Sequence, residues 1–228
     1  MSVIVSGSTN IGYKTSTDGL SLYLDARNSN SYPGSGDTWY DLSTGVNNVS
    51  TRFATYNSTA PANFNISGSI NTIDFTSIAP TSEFTIETVI KPTSLPNSYN
   101  IFLNFDNTFR IYFDNNYNIF YWAGDINNNS SSIYVSALSF PVDQWQYFSF
   151  VLRGGIGQSP SNSRLYKNGT LLNSSGGSAG SVNYNNGVGQ IFGDTNVSCS
   201  VFKTYNRSLT QAEITNNYNY YKPIFNLS

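Results

Sequence analysis

Short alternating runs bounded by turn residues recur along most of this chain, a pattern that leaves room for little except an antiparallel β-fold. The clearest covers residues 84–92. Phe84, Ile86, Thr88 and Ile90 share one face, Thr85, Glu87, Val89 and Lys91 the other, and Pro92 ends the run. Residues 101–105, 109–113 and 119–122 read as successive strands, with Asp114, Asn115 and Asn116 as a turn because Asn and Asp tolerate left-handed backbone. The next strand, 145–152, directs Phe148, Phe150 and Leu152 inward. Residues 164–167 and 170–172 flank Asn168-Gly169, the strongest short-range hairpin signal in the chain. Residues 188–192 and 197–205 complete the series, and weaker alternation at Phe64/Ile66 and Ile73/Phe75 adds short strands between residues 46 and 78. The Gly- and Ser-rich stretches 154–163 and 174–181 lie inside the series and read as surface loops.

One stretch stands apart. Residues 20–43 begin as a strand, with Leu20, Leu22 and Leu24 on one face, then break into an irregular run. That run gathers Asp25, Arg27, Asp37 and Asp41, although only 11% of the chain is charged, against about a quarter in ordinary domains. Gly34 and Gly36 supply turns, and Trp39 and Tyr40 are large apolar anchors with a polar end. A folded corner is expected here, with Arg27 paired to a nearby Asp and with Asp25, Arg27, Trp39 and Asp41 satisfied inside the domain.

A single helix is expected late in the chain. Thr210 and Glu213 form a capping box, and Leu209 with Ile214 a hydrophobic staple. The helix is expected to be short, closed by Asn216, Asn217 and Pro223. The predicted architecture is therefore all-β, an antiparallel β-sandwich with one short C-terminal helix. Residues 20–228 form one domain; residues 1–19, whose apolar cluster is Val3, Ile4 and Val5, form an N-terminal arm or a first strand.

Composition narrows the chemistry. There is no His among the 228 residues, which removes Ser-His-Asp and Cys-His nucleophile systems and His-based zinc sites. The single Cys, Cys199, excludes an internal disulfide. A net charge of −2 with no basic stripe argues against nucleic acid and anionic membrane as partners. The opening MSVIVSGSTN has no basic segment and no long apolar segment, so no secretory signal is expected.

Taken together, LYLDARNSNSYPGSGDTWYDLSTG, FTIETVIKP, WQYFSFVL, LYKNGTLL and YNRSLTQAEITNNY resemble, in that order, the concanavalin A-like lectin/glucanase superfamily, and in particular its laminin-G-like branch found in phage and other viral proteins. The resemblance runs from about residue 20 to residue 222. It implies a two-sheet jelly roll, and it implies that residues 24–43 and 205–218 are structural signatures packed near each other.

Glycosidases of this superfamily need two carboxylates. The resemblance implies a strand motif Glu-x-Asp-x-x-Glu, whereas Glu83 and Glu87 have no Asp between them, and Glu87 is expected on the outer face of its strand. No enzymatic activity is expected. Calcium is conceivable through Asp25, Asp37, Asp41, Asp125 and Asp194, but no dedicated loop supports it, and no cofactor is expected. Sugar binding uses aromatic faces beside Asn and Asp; Tyr121, Trp122, Asp125, Asn127 and Tyr134 offer those types together, with Asn128 beside them. The competing account makes Trp122 core and the Asn run a solvated loop. The expected function is that of a phage virion structural protein on the particle exterior, a capsid decoration or other surface subunit. Its partners would be capsid or tail proteins, with homo-oligomers possible. The alternative is a carbohydrate- or receptor-binding module of a tail fibre, or a soluble lectin, acting on cell-surface glycans.

Overall fold

The computed structural model describes residues 14–52, 54–67, 73–74, 83–93, 100–105, 109–113, 119–124, 130–135, 141–153, 163–174, 188–191 and 196–228. Among them lie sixteen strands and one helix. The strands are β1 (Leu20–Asp25), β2 (Thr38–Trp39), β3 (Val49–Ser50), β4 (Ala54–Asn57), β5 (Asn63–Ser67), β6 (Ile73–Asp74), β7 (Glu83–Pro92) and β8 (Asn100–Phe105). They continue as β9 (Phe109–Phe113), β10 (Ile119–Gly124), β11 (Ser130–Val135), β12 (Gln146–Arg153), β13 (Arg164–Lys167), β14 (Thr170–Ser174), β15 (Val188–Ile191) and β16 (Asn196–Tyr205), followed by the helix α1 (Gln211–Phe225).

The strands form two large antiparallel sheets, the layers of a jelly-roll sandwich. One has eight strands in the order β14-β13-β12-β7-β16-β5-β4, with β1 also paired to β16. The other has six, in the order β11-β10-β9-β8-β15-β6, and β2 and β3 make a small ribbon. The 114–116 turn, the Val3–Val5 cluster and Phe75 lie outside the described residues.

The period-2 reading of β7 holds: Phe84, Ile86 and Ile90 are buried on the inner face beside Phe148, Phe150, Phe202, Leu22 and Leu24. Leu20 departs from it. The register shifts between Leu20 and Leu22, so Leu20 packs with the outer-face cluster instead. Asn168 (φ 47°) and Gly169 (φ 75°) form the β13–β14 turn, both in left-handed backbone as a tight hairpin requires. A Cβ on Gly169 would lie 2.8 Å from Tyr218 of α1, so this tip can sit against the helix only as glycine.

The outer face of the eight-stranded sheet is covered by α1. Val89, Tyr147, Val151, Tyr166, Val201 and Tyr205 meet Leu209, Ile214, Tyr218, Tyr221 and Phe225 in one buried cluster. Burying each such large side chain stabilises the fold by roughly 1.5–3 kcal/mol. That packing corrects the residues expected to close the helix. Asn216, Asn217 and Pro223 do not end the helix, which runs to Phe225 with Pro223 inside it and Asn226 as a left-handed C-cap. Asn217 faces inward, and the aromatic contacts of Tyr221 and Phe225 outweigh the backbone bond that Pro223 cannot make. The start is as expected. Thr210 and Glu213 satisfy each other's backbone N–H groups, and Arg207 grips the Glu213 carboxylate at 2.5 and 3.0 Å.

The corner after β1 is built from two carboxylates. Asp25 accepts from the Arg27 backbone N–H (3.0 Å), Arg27 Nε (2.8 Å), Arg27 Nη2 (2.6 Å) and the Tyr23 hydroxyl (3.0 Å). The Arg27 guanidinium in turn stands 5.1 Å from the Phe225 ring centroid and 5.6 Å from that of Tyr221. Asp41 accepts from the backbone N–H groups of Tyr23, Ser43 and Asn47 and from the Ser43 hydroxyl. The Tyr23 carbonyl receives Leu42 N–H, so the corner closes the free edge of β1. Gly34 (φ 96°) and Gly36 (φ 98°) make the turn between. Trp39 is buried against Phe64, their centroids 4.7 Å apart, whereas Tyr40, expected as a second anchor, is 44% exposed. Alternation along β2 turns Tyr40 away from the side that Trp39 buries.

Three tests follow from this architecture. Arg27→Ala leaves the buried Asp25 carboxylate without its cation and should lower unfolding free energy by about 3 kcal/mol in a urea titration, with ligand affinity little changed; an unaltered melting temperature would count against this role. Thr210→Ala should cost about 1 kcal/mol by the same titration. Acid should act on the same helix end: the Arg207 hydrogen bonds hold the Glu213 carboxyl down to about 2, below its ordinary 4.5. Its contribution is complete above pH 4.5 and is lost as pH falls toward 2, so the melting temperature of wild type should drop across that window by more than that of Glu213→Gln.

Candidate functional site

Beneath α1 the outer face carries a row of polar residues that alternation alone would assign to solvent. Register places Ser149 of β12, Glu87 of β7, Lys203 of β16 and Tyr23 of β1 side by side. Glu87 was expected outward, and it is; but it lies under the helix and is 1% exposed. The correction is one of covering, not of face.

Both oxygens of Glu87 are engaged. The Tyr147 hydroxyl donates to Oε1, the Tyr205 hydroxyl lies 3.2 Å from Oε2, and Asn217 Nδ2 reaches both oxygens at 3.0 and 2.9 Å. Asn217 is drawn further into the frame by its carbonyl, Oδ1, which accepts the backbone N–H of Ser16 at 2.8 Å. The Ser16 carbonyl lies 3.2 Å from the Tyr205 hydroxyl, and Asn216 Nδ2 donates to the Lys14 carbonyl. Residues 14–18 thus run as a strap along α1. Burial raises the Glu87 carboxyl above its ordinary value, opposed by Lys203 and by these hydrogen bonds; burial also raises the hydroxyls of Tyr147 and Tyr205.

Lys203 is the cation of this row. Its side chain is fully buried and its Nζ makes no hydrogen bond. It stands 4.3 Å from the Tyr23 ring centroid and 5.1 Å from that of Tyr221. Burial pulls its amine down to about 8 from 10.5, with Glu87 and Asp25 acting against that pull. Ser149 Oγ and the Tyr221 hydroxyl are likewise buried without a partner. Sequence reasoning missed Lys203, Asn217, Tyr147 and Tyr205. The available signal was the capping box: a helix starting at Gln211 and continued at 3.6 residues per turn carries Ile214, Asn217, Tyr218 and Tyr221 on one face.

The aromatic and amide candidates lie elsewhere. Tyr121 and Trp122 are on β10 and Tyr134 on β11, where Tyr134 stands opposite Phe120 in the register. Asp125 and Asn127 lie between these strands, outside the described residues. Tyr121, Trp122 and Tyr134 therefore share the β10–β11 strand pair at the edge of the six-stranded sheet. Of the corner candidates, Asp25, Arg27 and Asp41 have their charged groups turned to one another and to the loop backbone, and Trp39 is core.

Two open hollows flank the helix. One, of about 520 Å³, lies between the β13–β14 turn and α1 and is lined by Gln144, Gln146, Lys167, Asn168 and Tyr218 among others. The other, of about 540 Å³, lies between the strap at residues 14–18 and Glu213 and Tyr220. Among the described residues, no three His, Cys, Asp or Glu side chains gather in a way that would hold a metal ion. No helix among them is long and apolar enough to cross a membrane.

In structure the chain is similar to the binding domain of Paraclostridial mosquitocidal protein 1, with TM-score 0.66 and 17% identity over 89% of this chain and 52% of that one. It is similar also to the receptor binding domain of botulinum neurotoxin type G, with TM-score 0.62 and 17% identity over 88% and 51%. A third likeness is to Trypanosoma rangeli sialidase in complex with sialic acid, with TM-score 0.63 and 15% identity over 96% and 36%. The chain spans about half the length of the two toxin domains and about a third of the sialidase, and at these identities the likeness is one of fold. No curated protein matches the sequence. Residues 64–215 match the laminin-G-like model of the concanavalin A-like lectin/glucanases superfamily. With its sequence matched over that span and its two antiparallel sheets in place, the chain belongs to the concanavalin A-like lectin/glucanase superfamily.

Proposed function

We propose that this chain is a non-enzymatic, lectin-like surface subunit of a phage particle, a capsid decoration or other exterior component. The observation that supports the non-enzymatic part is the engagement of four carboxylates among the described residues. Glu87, the acidic residue at the centre of β7, is closed in by two tyrosines and Asn217; Asp25 is held by Arg27, Asp41 by loop N–H groups and Glu213 by Arg207. A glycosidase needs one carboxyl free to protonate the leaving group and a second beside the sugar. The virion assignment rests on the likeness of the chain to the laminin-G-like branch found in viral proteins. Its partners would be other capsid or tail proteins, with copies of itself as further neighbours. Mass spectrometry of purified particles tests this: many copies per major capsid protein support decoration, few copies support a tail position, and absence from the particle overturns the virion role.

A second reading is favoured by the structural neighbours, two of which are binding domains of toxins and one a sialidase holding sialic acid. Here the chain is a glycan- or receptor-binding module, with Tyr121, Trp122 and Tyr134 of β10 and β11, together with Asp125 and Asn127, as its contact residues. A glycan array should then show selective binding, and Trp122→Ala should weaken it by about fivefold to tenfold, the loss of one aromatic contact of about 1 kcal/mol. An array with no signal would leave the structural role alone.

A further inference from the structure

The unpartnered ammonium of Lys203 needs an explanation. A buried cation without a hydrogen bond is costly, and folded proteins rarely keep one. Its surroundings supply one. Glu87 is the direct cross-strand partner of Lys203, and the same carboxylate holds the side-chain amide nitrogen of Asn217 at 2.9 and 3.0 Å. Nucleophile and amide therefore flank one carboxyl group. The carbonyl end of that amide is polarised by Ser16 N–H at 2.8 Å. Lys203 and Asn217 are both fully buried, and the rings of Tyr23, Tyr147, Tyr205 and Tyr221 keep water from the site.

The geometry points to an intramolecular isopeptide bond between Lys203 Nζ and Asn217 Cγ, formed with Glu87 as the proton carrier. Tyr221 lies one helical turn beyond Asn217, so rotation about the lysine side-chain bonds carries Nζ from the Tyr221 ring to the neighbouring amide. The ammonium first gives a proton to the Glu87 carboxylate, leaving two neutral groups where two buried charges stood. The Nζ lone pair then adds to Cγ, and the carbonyl electrons move onto Oδ1, where Ser16 N–H receives the charge. Glu87 passes its proton to Nδ2 and takes one from Nζ. The Cγ–Nδ2 bond breaks with its electron pair, ammonia leaves, and the carbonyl re-forms. One N–C bond is made and one is broken, with no oxidant, reductant or second reactant. The directions of the acidities suit these roles: burial makes the lysine amine easier to deprotonate and the Glu87 carboxyl readier to hold a proton.

The product would tie α1 covalently to β16 at the centre of the sheet. Intact mass spectrometry of the full chain should give the sequence mass less one ammonia. A tryptic map should show no cleavage after Lys203 and a branched peptide joining the Lys203 segment to the helix segment that holds Asn217. Glu87→Gln should return the full sequence mass and restore cleavage after Lys203. If that variant does not fold, the wild-type peptide map decides alone. Folded wild type at full sequence mass overturns the proposal, and so does an ammonia loss with Lys203 still cleaved, which would mark a cyclised asparagine instead.

Discussion

Four charged side chains, Asp25, Arg27, Glu87 and Lys203, lie on the face of the eight-stranded sheet that α1 covers, and the arrangement of the whole outer layer follows from that burial. A carboxylate moved out of water costs several kcal/mol unless its lone pairs are met. Glu87 is met by hydroxyls from β12 and β16 and by an amide from α1, so three elements must reach their final positions for one charge to be satisfied. Asp25 ties the end of β1 to Arg27, whose far side rests on the rings of Tyr221 and Phe225. The helix is therefore held by polar directionality as well as by apolar area. An apolar interface alone would tolerate sliding; a carboxylate between two hydroxyls and an amide does not.

This layer also joins the chain's distant segments. β1 pairs with β16, the corner after β1 supports the C-terminal end of α1, and the strap at residues 14–18 binds Asn216, Asn217, Tyr205 and Arg207. Contacts spanning some two hundred residues carry a large loop-closure cost during folding. In the folded chain they converge, since Ser16, Tyr205, Asn217 and Glu87 share one hydrogen-bonded cluster.

What could be read from the sequence was what local rules govern. Asn168-Gly169 fixed a hairpin because both positions need left-handed backbone, and Thr210 with Glu213 fixed a helix start because the capping box is satisfied within four residues. The helix end was misjudged because Asn217 and Pro223 are poor helix residues in isolation, while the forces that keep them helical come from Glu87 and from the aromatic face. The covering of Glu87 was missed for the same reason. Alternation tells which face of a strand a residue occupies; whether that face meets water depends on an element more than a hundred residues away. Tyr40 shows the converse, a large side chain that looked like an anchor and is left at the surface because its neighbour Trp39 takes the buried side.

The covering of this face restricts where recognition can take place. At the centre of the eight-stranded sheet, β1, β16, β7 and β12 have one face in the core and the other under α1, with Leu22, Ile86, Phe148 and Phe202 on one side and Tyr147, Val201 and Tyr205 on the other. A ligand would have to displace the helix to reach that surface, breaking the Glu87 cluster as it did so. The six-stranded sheet meets no such helix among the described residues, and β11 is its edge strand, lying beside β14 of the other sheet. The division of labour is physical: at its centre the eight-stranded sheet uses both faces to close the domain, so the glycan-binding reading falls on the six-stranded sheet.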